Sequence, residues 1–328
     1  MAVYTRIPAE EMADIIAHFG VGELVSAKGI AEGVSNSNWL IETRGTGTSG
    51  RFILTVYEER TDVRDLPFFL NLLDHLAAAG CPVPRTIHDE TGAPFRTIDT
   101  ANGERKLALI EFLPGVSADD PTPEQAHAIG RALASVHLAG RDFSMTRKDG
   151  MGFEAWRGFV RDCAGRWSEI DPALEAVPAY VDSVIAAWPA DLPQSTIHAD
   201  LFPDNVLLVG DEVSGLIDFY FACTGAMAYD LAVTHAAWSF SADGRVQSHA
   251  IGDALIAGYR SVRELEPIEI AALPALAGAG SLRFLLTRAY DWLYTPADAL
   301  VTKKDPMAFF RRHEFYRENG AAAFGLSA

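Results

Sequence analysis

Along the chain the apolar positions alternate between helical and strand spacing, and each change of period marks an element. Pro8 at a start, apolar Met12, Ile15, Ile16 and Phe19, and a closing Gly20 predict a short amphipathic helix. Three strand-like stretches follow, around Leu24 to Ile30, Ser37 to Thr43 and Phe52 to Tyr57. Gly-rich turns at Gly33 and at Gly45 to Gly50 separate them, which predicts an antiparallel meander. Leu66, Phe69, Leu70, Leu73 and Leu76 return to helical spacing up to Gly80, so a helix is expected to lay its apolar stripe on that sheet. Two further strands, near Pro94 to Asp99 and Lys106 to Phe112, complete it.

Leu113-Pro114-Gly115 breaks the pattern. Thr122-Pro123-Glu124-Gln125 is then a capping box, opening a helix that runs to about Ala139. Helical spacing dominates from there, interrupted by a short strand-rich island from Thr196 to Phe219, and Ala- and Leu-rich helices fill roughly 226 to 318. The expected fold class is α+β in two lobes, 1–114 with an antiparallel sheet plus helix and 115–328 mainly helical.

Composition narrows the partners. At 328 residues the chain exceeds the size at which a single core usually stops growing, which agrees with two lobes. Lys plus Arg number 27 against 44 for Asp plus Glu, a net charge of −17 that repels phosphate backbones and argues against nucleic acid. Cys81, Cys163 and Cys223 are odd in number, far apart and in no CxxC pair, so buried thiols are expected and not a disulfide framework or a zinc site. The start of the chain lacks the pattern of a secretory signal, and no uncharged apolar run approaches the length a membrane helix needs, so no membrane partner is expected and the cytoplasm is the expected compartment.

Residues 196 to 209 carry chemistry. Within them His198, Asp200 and Asn205 match HxDxxxxN, with apolar strands on both sides of the polar loop. Phosphoryl transfer needs a carboxylate to orient and deprotonate the attacking hydroxyl, here Asp200, and neutral or anionic oxygen ligands for Mg²⁺, here Asn205. Thirteen positions past Asn205, Gly215-Leu216-Ile217-Asp218-Phe219 ends an apolar strand on an acidic residue, and a hairpin at that spacing sets Asn205 and Asp218 side by side as metal ligands. Asp and Asn in a loop also serve plain turn formation, so the motif gains its meaning from the β-rich lobe before it and the helical lobe after it. His198 is read chiefly as a support for the loop backbone within this catalytic group.

The motif His198-Ala199-Asp200-Leu201-Phe202-Pro203-Asp204-Asn205, with Ala199 where protein kinases have arginine, resembles the HxDxxxxN of the aminoglycoside phosphotransferase and choline kinase superfamily. Gly130 to His137 resembles that superfamily's GxxLAxxH helix, with His137 read as a packing residue. Within it the chain is similar to type II homoserine kinases, in Gly33-Val34-Ser35-Asn36-Ser37-Asn38-Trp39, Phe52 to Glu58, Leu66-Pro67-Phe68-Phe69-Leu70 and Lys304-Asp305-Pro306 with Phe309 and Phe310. The resemblance implies a protein-kinase-like fold, ATP and Mg²⁺, and phosphorylation of the side-chain hydroxyl of L-homoserine in threonine biosynthesis. Lobe 1–114 would then bind nucleotide, and lobe 115–328 would carry the catalytic loop and the acceptor.

A phosphate-covering loop is expected at Gly33, Ser35, Asn36, Ser37 and Asn38, between two strands, and a hinge at Ala108 to Gly115, with backbone groups from Glu111 to Leu113 facing adenine. Thr55 departs from the kinase pattern, standing where most kinases carry a phosphate-binding lysine. Arg60, Arg64 and Lys106 are candidates to replace it. For the acceptor, Arg283 and Arg288 are candidates for a carboxylate, and Asp204 and Asp230 for an ammonium, with Asp230 in Tyr-Asp-Leu-Ala read rather as a brace of the catalytic loop. A cage of Trp238, Tyr290, Trp292 and Tyr294 would suit choline instead. The alternatives are thus a kinase for another amino alcohol or hydroxylated amine (choline, ethanolamine, an aminoglycoside) or a nucleotide-binding pseudokinase, which Thr55 alone encourages. The oligomeric state leaves no mark in the sequence.

Overall fold

The computed structural model describes residues 5, 7–30, 36–45, 50–58, 62–100, 103–296 and 303–325. Its two units are Met1–Pro114 and Gly115–Ala328. In the first, α1 (Ala9–Ala17) turns Met12, Ile15 and Ile16 inward. It packs on a sheet built from β1 (Glu23–Gly29), β2 (Ser37–Arg44) and β3 (Arg51–Tyr57), then, after α2 (Leu66–Ala78), from β4 (Thr86–Ile87), β5 (Arg96–Thr100) and β6 (Gly103–Glu111). The order is β1-β2-β3-β6-β4 with β5 also on β6, and every pairing is antiparallel. β4 has no counterpart in the sequence reading: its two residues are too few to show a period, and it is held by Asp74, whose Oδ1 accepts the Thr86 N–H at 3.0 Å.

Because side chains alternate along a strand, Trp39, Ile41, Phe52, Leu54, Val56, Leu107 and Leu109 share one face with α1 and form its core. Thr55, paired with Asn38 on one side and Ala108 on the other, lies on the opposite face.

The second unit starts with α3 (Pro123–Gly140), whose capping box closes as expected: Thr122 Oγ1 accepts the Gln125 N–H at 3.2 Å and Gln125 Oε1 accepts the Thr122 N–H at 3.0 Å. Then come α4 (Phe153–Asp162), α5 (Val177–Ala186), β7 (Gln194–Ile197), β8 (Val206–Val209), β9 (Glu212–Leu216), β10 (Cys223–Ala226), α6 (Met227–Trp238), α7 (His249–Arg260), α8 (Pro267–Tyr294) and α9 (Met307–Asn319). β7 pairs with β10 and β8 with β9, so the strand-rich island is two ribbons set among helices. Cys81, Cys163 and Cys223 are all buried and free.

Two glycines set the approach of α3 to α7. A Cβ on Gly130 would stand 2.1 Å from the Leu255 carbonyl oxygen, and one on Gly258 would stand 2.0 Å from that of His127, so no other residue fits either place without moving a backbone. α8 is the long axis of the unit. Its 28 residues and mean hydropathy of 1.5 are enough to cross a membrane by length and composition, yet 67% of its most apolar window is buried against the rest of the protein, as in a core helix. Its uncharged stretch, bounded by Glu269 and Arg283, is itself shorter than a membrane helix needs, in keeping with the sequence reading.

Candidate active site

The loop between β7 and β8 is fixed from below by Asp230, which α6 presents without any solvent exposure. Its Oδ2 accepts the His198 N–H and its Oδ1 the Ala199 N–H, each at 2.7 Å, and His137 Nε2 lies 3.0 Å from Oδ2. These donors hold the Asp230 carboxyl below the usual carboxylate range in spite of its burial, which pushes the other way. Ala199 stands at φ 64°, a left-handed conformation that alanine seldom adopts, and its carbonyl is gripped by Arg283 Nη1. His198 places both ring nitrogens on the backbone: Nε2 donates to the Ile217 carbonyl at 2.9 Å, and Nδ1 accepts the Asp200 N–H at 3.2 Å. That pattern demands the neutral ring, and burial accordingly lowers its proton affinity. His198 is therefore spent on the loop and has no nitrogen left for a substrate.

Asp200 follows, its side chain 18% exposed, with Arg283 Nη2 at 3.7 Å from Oδ1. The protein around it pushes its carboxyl up to about 7; Arg283 opposes the rise, and Asp218 and Asp204 add to it. Asn205 is tied to it, with Nδ2 donating to the Asp200 carbonyl at 2.8 Å and lying 3.4 Å from Asp200 Oδ2. Asn205 and Asp218 meet at the open end of the β8–β9 hairpin, where Val206 pairs with Leu216 and the Ile217 N–H donates to the Asn205 carbonyl at 3.0 Å. Asp218, also left-handed at φ 64°, is pushed up by the protein packed around it and by Asp204, against the hydrogen bond from the Tyr220 N–H, although the residue keeps solvent contact, which screens the effect.

The residues proposed from sequence for an acceptor divide. Asp230 is a brace and cannot reach a ligand, because all of it is buried and both oxygens are filled. Arg283, 3% exposed, is taken up by Ala199, Asp200 and the rings of Phe221 and Phe284, so it too supports the loop. Arg288 is half-buried over the Phe309 ring, donates from Nη1 to the Asp305 carbonyl at 3.2 Å, and is pushed down to about 10 by burial, against the pull of Asp305, Asp204 and Asp200. Asp204 is exposed, with Lys304 Nζ at 3.8 Å. Of the four aromatics, Trp238 stands on α6 and the other three at the end of α8. Trp238 is buried with Nε1 on the Leu201 carbonyl, Tyr290 packs on Phe159 and Tyr294, and no ring contact joins Trp238 to either tyrosine among the described residues.

In the first unit Gly33 and Ser35 lie outside the described residues, as does Arg60. Ser37 is buried and donates to Glu58 Oε1 at 2.6 Å, and Asn36 Oδ1 accepts the Glu58 N–H at 3.2 Å, so both side chains anchor the loop's end on Glu58. Asn38 Oδ1 accepts the Thr55 hydroxyl at 2.7 Å, so a neutral pair occupies the lysine position. Arg64 is an exposed partner of Asp62, and Lys106 Nζ is 3.1 Å from Glu104. The Glu111 N–H is committed to the Arg85 carbonyl at 2.9 Å, whereas Leu113 lies beyond the last strand, with its N–H outside the ladder.

The phosphotransferase enzyme family matches residues 26–265. The chain belongs to that family. It is 47% identical over 321 residues to a homoserine kinase of Methylorubrum populi, covering 97% of this chain and 96% of that one. It is 46% identical over 335 residues to a homoserine kinase of Azorhizobium caulinodans, covering all of both. Among solved structures, an amicoumacin kinase in complex with AMP-PNP and Ca²⁺ aligns with a TM-score of 0.69 at 16% identity, over 96% of this chain and 95% of that one. The fold is thus α+β and kinase-like, and the protein is a phosphotransferase acting on an alcohol group.

Proposed function

We propose that the protein transfers the γ-phosphoryl group of ATP to the side-chain hydroxyl of L-homoserine, giving ADP and O-phospho-L-homoserine, as a cytoplasmic step of threonine biosynthesis. The observation that carries the acceptor is the likeness, end to end, to curated homoserine kinases at 46–47% identity. The burial of Trp238 with its Nε1 on the Leu201 carbonyl speaks against a four-ring choline cage.

Asp200 is proposed to accept the hydroxyl proton as that oxygen attacks phosphorus and the bond to the leaving ADP oxygen breaks. A carboxyl held near 7 has a proton affinity suited to this at neutral pH. Asn205 and Asp218 are proposed to hold Mg²⁺. The donor set fits: Asn205 Nδ2 is turned to Asp200, which leaves the amide oxygen for a hard cation beside the Asp218 carboxylate. When bound, that ion supplies charge neutralisation for the phosphates. Asp204 is proposed for the acceptor ammonium, and Arg288, with donors beyond the one given to Asp305, for its carboxylate. For adenine, the Leu113 N–H is proposed.

The test is ADP release by the purified protein with homoserine, choline, ethanolamine and kanamycin as separate acceptors. Release that depends on homoserine and exceeds the others by at least roughly 10²-fold is expected, well within the roughly 10⁴-fold by which a site that hydrogen-bonds its substrate can reject analogues lacking the bonded groups. Flat responses to all four would reject the proposal and favour a pseudokinase.

A further inference from the structure

The second unit contains a file of buried polar side chains that phosphoryl transfer does not touch. Arg263 Nη2 donates to Glu269 Oε2 at 2.8 Å, and Arg263 Nη1 donates to the Tyr259 hydroxyl oxygen at 3.2 Å. The Tyr259 hydroxyl is 2.8 Å from His137 Nδ1, and His137 Nε2 is 3.0 Å from Asp230 Oδ2. Exposure is 0% at His137, Asp230, Tyr259 and Glu269, and 6% at Arg263.

The groups at its ends set its direction. An arginine only donates and an ionised aspartate only accepts, so the two groups between them must each do both. Tyr259 accepts from Arg263 and donates to His137 Nδ1, which leaves the imidazole proton on Nε2, pointing at Asp230. A second proton on the ring would turn Nδ1 into a donor and strand the tyrosine proton in an apolar interior. Bonds aligned in this way polarise one another.

The file starts on α8 at Glu269, in the first turn of that helix, and ends on α6 at Asp230, while Arg283, which grips the Ala199 carbonyl, is on α8 about 21 Å beyond Glu269. The left-handed Ala199 peptide is therefore tied to α8 twice, through its carbonyl by Arg283 and through its N–H by way of Asp230, His137, Tyr259 and Arg263. Gly130 lies two helical turns before His137 and faces α7, and Gly258 precedes Tyr259, so the same close approach that excludes a Cβ brings hydroxyl and imidazole together.

We infer that Tyr259 and His137 are positioning residues for the phosphoryl transfer, holding the Asp230 carboxylate in the orientation that clamps both loop amides and thereby fixing the Asp200 carboxylate. The kinetic side of this inference rests on the proposed homoserine kinase activity.

Tyr259→Phe removes one oxygen and keeps the ring. The expected result is a kcat lower by about 10-fold or more, the scale on which small misplacement costs rate, with KM for ATP and homoserine within about twofold. His137→Gln, which keeps an N–H near the Nε2 position, should retain more kcat than His137→Leu. Amide hydrogen exchange, read without any substrate, should quicken about 10-fold in the segment holding the His198 and Ala199 amides while α2 and α9 exchange at the wild-type rate. Wild-type kcat and exchange in Tyr259→Phe would overturn the inference. So would faster exchange spread evenly over the chain, or equal kcat in the two His137 variants. If the wild-type protein does not phosphorylate homoserine, the functional proposal fails by itself, and local exchange in Tyr259→Phe still decides this one.

Discussion

Ala199 holds a conformation that costs an alanine about 1–3 kcal/mol, and it does so at the residue next to the proposed base. Two buried groups keep it there: Asp230 takes its N–H, and Arg283 takes its carbonyl. The next side chain, Asp200, keeps 18% exposure, with Arg283 at 3.7 Å from its Oδ1. Replacing Asp200 with alanine should lower turnover by roughly 10²- to 10⁴-fold, the usual worth of a general base, while ATP binding by calorimetry stays near the wild-type value. A variant with near-normal turnover would remove Asp200 from the mechanism. Sequence spacing picked out Asp200, Asn205 and Asp218, because HxDxxxxN and the Ile-Asp-Phe strand end are local patterns. The burial of Arg283 depends on what packs over it, which is why the sequence presents it as an acceptor contact, whereas Asp230 in Tyr-Asp-Leu-Ala is already legible as a brace of the loop.

Among the elements, α3 and α7 depend on each other most closely, and glycine is the reason. Gly130→Ala would drive a methyl group to 2.1 Å from the Leu255 carbonyl oxygen, and neither backbone can yield without shifting its helix. Overpacking of this kind costs about 1–3 kcal/mol. The urea midpoint of Gly130→Ala should fall with an unchanged m-value, and turnover should fall as well, since Tyr259 is carried away from His137. Unaltered stability in that variant would show that the two helices are not in close contact. Element types were readable where periodicity ran long, as in α2 and α3 with its capping box. The two-residue β4 offered no period, and its place is set by Asp74 on α2.

For the molecule as a whole, buried histidines set the acid limit of stability. Burial pushes His235 down to about 3, and His198 and His313 are lowered as well. Unfolded histidine titrates near 6.5, so below that pH the unfolded chain takes up protons that the folded chain refuses. Their contribution to stability is complete above about 6.5 and is lost as the pH falls from there toward 3. For His235 this amounts to about 1.4 kcal/mol between pH 7.5 and 5.5, and His198 and His313 add in the same direction. Denaturation at the two pH values should show a smaller drop for His235→Gln than for the wild type. An equal drop would mean that His235 titrates normally in the fold.

What the sequence determined by itself is whatever depends on residues near each other in the chain: the order of helices and strands, the capping box on α3, the turn that joins β8 to β9, and the spacing of His198, Asp200, Asn205 and Asp218. Family likeness, also a property of the sequence, carried the choice of acceptor. Tertiary structure alone decided the use of each charged side chain, because solvent exposure and partners come from elements distant in sequence. It tied Ser37 and Asn36 to Glu58, gave Thr55 to Asn38, set Arg283 to the support of the loop, and fixed which loop amides Asp230 braces. A charge that loses water must find partners, and only the folded chain specifies which partners are within reach.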